Sequence, residues 1–207
     1  MLIGARAPSS AYGATEDVGE GAHAPEFQLF DPVEITAFWR AAGPKKWFVK
    51  DDAFDAELRT RFLDAHMAAA RRELDHWLET SEGALALLLL LDQVPRNIFR
   101  GTAHQFAADP LARWAAERAL AAGHDQAVEP ALRPFFFLPF EHSETAADQA
   151  RSVALFTVLD DAESLKWAEV HAEILARFGR FPHRNAPLGR ESTAGEIAFL
   201  ASGGFGG

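Results

Sequence analysis

Ser81-Glu82-Gly83-Ala84-Leu85-Ala86-Leu87-Leu88-Leu89-Leu90-Leu91-Asp92-Gln93-Val94-Pro95-Arg96-Asn97 carries the architecture of this chain. From Ala84 to Leu91 every residue is apolar, and Ser81 can cap a helix that starts there. A helix apolar on all sides has no face to give to water and belongs at the centre of a packed domain. The run is far below the roughly 20 apolar residues that a membrane span needs. Immediately after it come Asp92, Gln93, Pro95, Arg96 and Asn97. Pro95 cannot simply continue the helix, and polar groups so near a buried helix must be hydrogen-bonded or solvated.

The segments on either side also read as helices. Asp31-Pro32-Val33-Glu34 is a helix start, with Asp as cap, Pro in the first turn and Glu three residues on. Gly43-Pro44 ends that helix. Asp51 or Asp52 starts a longer one, along which Phe54, Leu58, Phe62, His66 and Ala69 recur at three-to-four spacing. A short helix is expected around Glu73 to Trp77, and Asp109-Pro110 opens another that closes near Gly123. Pro130 to Pro139, rich in Phe and broken by proline, reads as short turns packed into the core. Glu144 to Leu159 and Ala162 to Phe178 form two helices joined by Asp160-Asp161, with Gly179 as a left-handed stop. Thr193 with Glu196 makes a capping box for a last helix. No stretch alternates with period two for long enough to make a strand. The expectation is all-α: a single domain of stacked antiparallel helices over residues 27–202, after a disordered tail at 1–26 and before a flexible Gly-rich end at 203–207.

Composition narrows the function classes. At 207 residues, 48% apolar and 24% charged, the chain fits one ordinary globular domain. The formal net charge of -10 argues against nucleic acid as a partner, because such binding is driven by phosphate neutralisation. There are no cysteines, so thiolate chemistry, disulfides and Cys-ligated metals are excluded. The first residues lack the continuous apolar core of a secretion signal, and a cytoplasmic protein without a membrane segment is expected. No Gly-rich phosphate loop, dinucleotide fingerprint or metal spacing is present, so neither cofactor nor metal is expected.

Against the acidic total, two stretches are locally basic and read almost alike. Pro95-Arg96-Asn97-Ile98-Phe99-Arg100-Gly101 lies in a run with no acidic residue from Gln93 to Ala108. Pro182-His183-Arg184-Asn185 lies in a second such run from Ile174 to Arg190, which also holds Arg177 and Arg180. Guanidinium groups hold carboxylates and phosphates in two-point contacts. If the stretches meet, Asp92, Gln93, Arg96, Asn97, Arg100, Arg180, His183, Arg184 and Asn185 line a cationic site for a small anionic ligand. The bland alternatives are that Asp92 pairs with Arg96, and that Arg177 and Arg180 answer a helix dipole. Glu141-His142-Ser143-Glu144 adds a titratable pair, since imidazole changes charge near neutrality. Gln149, with Ser152 one turn on, is on a helix face expected to look back at Glu141-His142. His142 with Glu141 is the candidate acid–base pair of a hydrolase or transferase. The rival reading is a helical scaffold that binds a peptide or protein partner.

The segments Leu91–Thr102 (LDQVPRNIFRGT), Leu138–Glu144 (LPFEHSE) followed by Asp148–Phe156 (DQARSVALF), and Arg177–Arg190 (RFGRFPHRNAPLGR) together are specific. So are an early Phe38-Trp39, the stretch from Trp47 to Asp55, and a final Ser192-Thr193 with Glu196. Over about Asp31 to Leu200 the chain resembles the bacterial domain-of-unknown-function family 924. Val94 departs from the pattern, where a bulky aromatic is expected. The resemblance implies an all-helical fold similar to the tetratricopeptide-repeat superfamily, and it implies no activity.

Overall fold

The computed structural model describes Met1 and residues 30–206. The tail expected over 1–26 therefore lies, beyond Met1, outside the described residues. Among the described residues the secondary structure is helical throughout, with no strand. Helix α1 is Pro32–Ala42, α2 is Pro44–Trp47 and α3 is Asp52–Ala70. After a 3-10 turn at Asp75–Glu79 come α4, Ser81–Leu88, a π-turn at Leu89–Gln93 and α5, Val94–Ile98. Then follow α6, Asp109–Ala121, a 3-10 segment Pro130–Phe136, α7, Leu138–Glu141, and the pair α8, Ala146–Leu159, and α9, Ala162–Phe178. A 3-10 turn at Pro182–Arg184 leads to α10, Ala194–Ala201.

Local chemistry explains most of these boundaries. The side chains of Asp31 and Asp51 accept hydrogen bonds from the first backbone amides of α1 and α3. Thr193 and Glu196 form the full capping box of α10, and Gly179 ends α9 in the left-handed region that glycine enters without a Cβ penalty. For α4 the cap is Thr80 rather than Ser81, whose hydroxyl instead meets His124. Thr145 caps α8, one residue after the expected start at Glu144.

Every residue from Ala84 to Leu91 is at most 1% exposed, so α4 is the axis of the molecule. Around it pack α1, α6 and the 3-10 segment that ends in Phe135 and Phe136, while α3 packs on the π-turn and α5 that continue it. Gly83 lets the first turn of α4 lie against the preceding loop. A Cβ there would collide with the Trp77 carbonyl oxygen and sit 2.9 Å from Thr80 Oγ1. We expect Gly83→Ala to lower the unfolding free energy by about 1–3 kcal/mol, as overpacking against backbone does. Urea denaturation measures it.

At Pro95 the structure departs from the sequence expectation. The chain does not leave its helical path there. The Val94 N–H reaches back five residues to the Leu89 carbonyl, and this wider π-turn carries α4 into α5. A wider turn accommodates a residue that lacks an N–H and crowds the preceding turn. As a result Asp92 and Gln93 stay inside the helical rod, buried at the domain centre.

Helices α8 and α9 form a hairpin that packs across α7. The segment after Gly179 then returns towards α6 and α7 and brings Arg184 inside. The Gly-rich C-terminal end, expected to be flexible, is described as far as Gly206 and places the ring of Phe205 against His171 and His183.

A candidate acid–base site at the junction of two Arg-Asn segments

The Arg-Asn segments are neighbours, and Asp109 joins them. Arg96 Nη2 is 2.9 Å from Asp109 Oδ1, and Arg184 Nη1 is 3.1 Å from Asp109 Oδ2. Arg96 also lies 3.2 Å from Asp92 Oδ1 and donates to the Asp92 carbonyl. Arg184 donates its second Nη to the His142 carbonyl at 2.8 Å. Four elements thus meet at one point: the end of the π-turn, the start of α6, the end of α7 and the turn at Pro182–Arg184. Asp109 looks like an N-cap in the sequence, but its side chain caps nothing and turns inward. Only its place in a buried ion network reveals this role. No sequence signal separates it from an ordinary Asp-Pro helix start.

The arginines expected to converge do so only in part. Arg100 pairs with Asp55 at 3.0 Å and Arg180 with Glu196 at 2.7 Å. Each is a ligand of a neighbouring helix rather than of the centre. Asn97 receives a hydrogen bond from Arg100 and donates to the Gln93 carbonyl. Asn185 donates to Ser192, with its own Oδ1 buried and unpartnered among the described residues. Gln93 donates to Asp92 Oδ2 at 2.7 Å.

His142 sits against this network. Its Nδ1 is 2.8 Å from Asp92 Oδ1. Burial raises the Asp92 carboxyl, but Arg96, His142 and Gln93 outweigh it and hold the group well below the ordinary carboxylate range. An ionised carboxylate only accepts, so Nδ1 carries the proton and Nε2 keeps a lone pair. Burial and the Arg96 charge lower the His142 pKa and keep the ring neutral at pH 7. Glu141, one residue earlier, behaves in the opposite way. Burial, aided by the Asp92 charge, pushes its carboxyl up to about 8. At neutral pH it is a carboxylic acid that can donate.

His171, on α9, completes the group. Its Nδ1 donates to the Trp167 carbonyl at 2.8 Å and lies 3.3 Å from Glu141 Oε1. Burial lowers its pKa to about 4, and that of His183 to about 3. Gln149 looks back at this corner, as its helix face suggested. Its amide donates to the carbonyls of Glu141 and Ser143, each at 2.7 Å, and so fixes the end of α7. Gln149 also lines a groove of ≈ 440 Å³ between α8 and α9. The larger groove, ≈ 520 Å³, lies between α1 and α3 and includes none of these residues. Ser143 donates to Asp148 at 2.6 Å, which ties it to helix capping. Among the described residues no group of three or more His, Cys, Asp or Glu is placed to hold a metal ion, and no helix is long and apolar enough to cross a membrane.

A family model for a bacterial protein of unknown function (DUF924) matches residues 35–204. The chain belongs to this family. Its fold is similar to that of a solved structure, a protein of unknown function from Agrobacterium tumefaciens, with a TM-score of 0.80 and 56% identity. The match covers 83% of this chain and 97% of that one. The search of curated proteins returned no match.

Proposed function

We propose that this DUF924 protein is an acid–base enzyme of hydrolase or transferase type acting on a small molecule, with His142 as base and Glu141 as acid. One observation carries the reading: two carboxyls in one buried cluster are pushed in opposite directions. Asp92 is kept ionised and orients His142, while Glu141 is kept protonated. Groups whose environments drive their pKa values apart are how a site assigns acid and base roles at neutral pH. His142 Nε2 takes a proton from the substrate or its attacking group, and Glu141 donates one to the group that leaves.

Anion binding fits this site in one form. Arg96 and Arg184 already share the carboxylate of Asp109. A phosphate or carboxylate on the ligand reaches them by taking the place of Asp109 between the two guanidinium groups.

The test is an unbiased turnover screen. Purified wild type and His142→Gln are incubated with a bacterial metabolite extract and followed by mass spectrometry. The expected result is at least one species consumed by wild type and spared by a folded His142→Gln. Equal consumption by both proteins, or no wild-type-dependent change, overturns the reading.

A further inference from the structure

The C-terminal sequence Gly203-Gly204-Phe205-Gly206-Gly207 has one side chain larger than hydrogen. That ring packs at the edge of the small apolar cluster of Ile174, Leu175 and Phe181, and it also meets imidazoles. Its centroid is 4.6 Å from the His171 ring and 5.3 Å from the His183 ring, both edge-on, and 6.0 Å from Trp167. His171 in turn reaches Glu141 at 3.3 Å, and its ring is 6.3 Å from that of His142. Phe205 therefore covers the acid–base corner from outside, one imidazole away from the acid.

The ring is packed, but the backbone that carries it is held by few hydrogen bonds. The last backbone hydrogen bonds of the chain end are Gly203 N–H to Leu200 O and Gly204 N–H to Phe199 O. Among the described residues none involves Phe205 or Gly206. Glycines on both sides let the backbone swing with little steric cost, and Gly203 already has a φ of +83°. The neighbours under the ring are poorly matched to it. His183 has a buried Nδ1 with no partner among the described residues, and burial keeps that imidazole neutral. An unpartnered buried polar atom costs free energy, and a phenyl ring cannot satisfy it. A ligand bearing a planar ring can fill the same space, and a hydrogen-bonding group on it would be next to an imidazole with an unpartnered nitrogen.

We infer that Phe205 is a removable plug in a ring-binding slot formed by His171, Phe181, His183 and Trp167, and that the slot receives a planar aromatic or heteroaromatic part of the ligand. Its link to chemistry rests on the acid–base reading above, while the slot itself does not. On ligand arrival the Gly-flanked tail swings out and the ligand ring takes the place of the phenyl.

The experiment uses the full chain and 4-fluorophenol as probe, followed by fluorine NMR, with ring resonances of His171 and His183 read in parallel. Phe205→Ala should bind the probe at least tenfold tighter than wild type, with both histidine resonances moving. Phe205→Leu, which retains most of the packing, should fall between them. Equal affinity in all three proteins, or shifts that map away from His171 and His183, overturns the slot. So does a Phe205→Ala protein that fails to fold, since the ring is then core and not a plug. Probe binding needs no turnover, so a slot that fills in a protein without activity sinks only the acid–base reading. Turnover with no effect of Phe205 on the probe sinks only the plug.

Discussion

Asp109→Ala should lower the unfolding free energy by about 3–5 kcal/mol, the cost of breaking a buried pair so that a charge is left uncompensated. For a domain of this size that is a fall in the thermal midpoint of about 6–20 °C. The charges explain why the effect is large. Arg96 keeps a second acidic partner in Asp92 at 3.2 Å, but among the described residues the only hydrogen bond Arg184 keeps is to the His142 carbonyl, beside the faces of Phe106 and Phe181. Burial already pulls the Arg184 guanidinium down to about 10, with Asp109 the foremost group holding it up. Without that carboxylate the cation has to be hydrated by water drawn into the core, or to leave. Arg184→Ala should cost less, because Asp109 then still pairs with Arg96. The double variant Asp109→Leu with Arg184→Met should recover more than half of the loss, because apolar groups of similar volume replace both charges. Thermal and urea denaturation of the four proteins decide it. If Asp109→Ala costs less than about 1 kcal/mol, the junction contributes little to holding the elements together.

Most of the helix plan is legible because helix starts and stops are local chemistry. Asp31, Asp51, Gly179 and the Thr193–Glu196 box work within a few residues of their own position. The buried axis is legible because no arrangement of Ala84–Leu91 leaves a face for water. The same uniformity hides the π-turn: in a run apolar on every side, one extra residue per turn shifts nothing from wet to dry. The pairing of the two Arg-Asn segments is a long-range fact, since Asp109 and Arg184 are 75 residues apart. Arg100 and Arg180 illustrate the converse. Their acid-free neighbourhoods in sequence say nothing about Asp55, 45 residues away, or Glu196, 16 residues away. The Glu141–His142 pair was visible as residue types. The opposite protonation preferences of Asp92 and Glu141 were not, because they follow from burial and from Arg96.

Stability against pH should peak near pH 6.5, and the shape of the curve identifies Glu141. Its folded pKa, about 8, stands above the ordinary value of 4.5. A group raised on folding contributes stability that is complete below its unfolded pKa and lost as pH rises towards the folded one, because the native state binds the extra proton. Above pH 6.5 this slope should dominate, at about 1.4 kcal/mol per pH unit until near pH 8. The histidines run the other way. His171 at about 4 and His183 at about 3, with His142 and His66 also lowered, stay neutral when folded and take up protons when unfolded. Their contribution is complete above the ordinary histidine pKa and is lost as pH falls through the folded values. Below pH 6.5 these groups together outweigh Glu141, and stability falls with acid. Glu141→Gln keeps the shape of the protonated acid and removes its titration. That variant should match wild type near pH 4.5. It should exceed it by on the order of 3 kcal/mol at pH 7 and 4–5 kcal/mol at pH 9, with no decline between pH 6.5 and 8. Urea midpoints at half-unit pH steps measure both curves, and parallel curves above pH 6.5 would mean that Glu141 is ionised in the folded state and cannot be the acid. A carboxyl kept protonated by burial at a cost in stability fits the acid role proposed for Glu141, since Gln has the same shape without that cost.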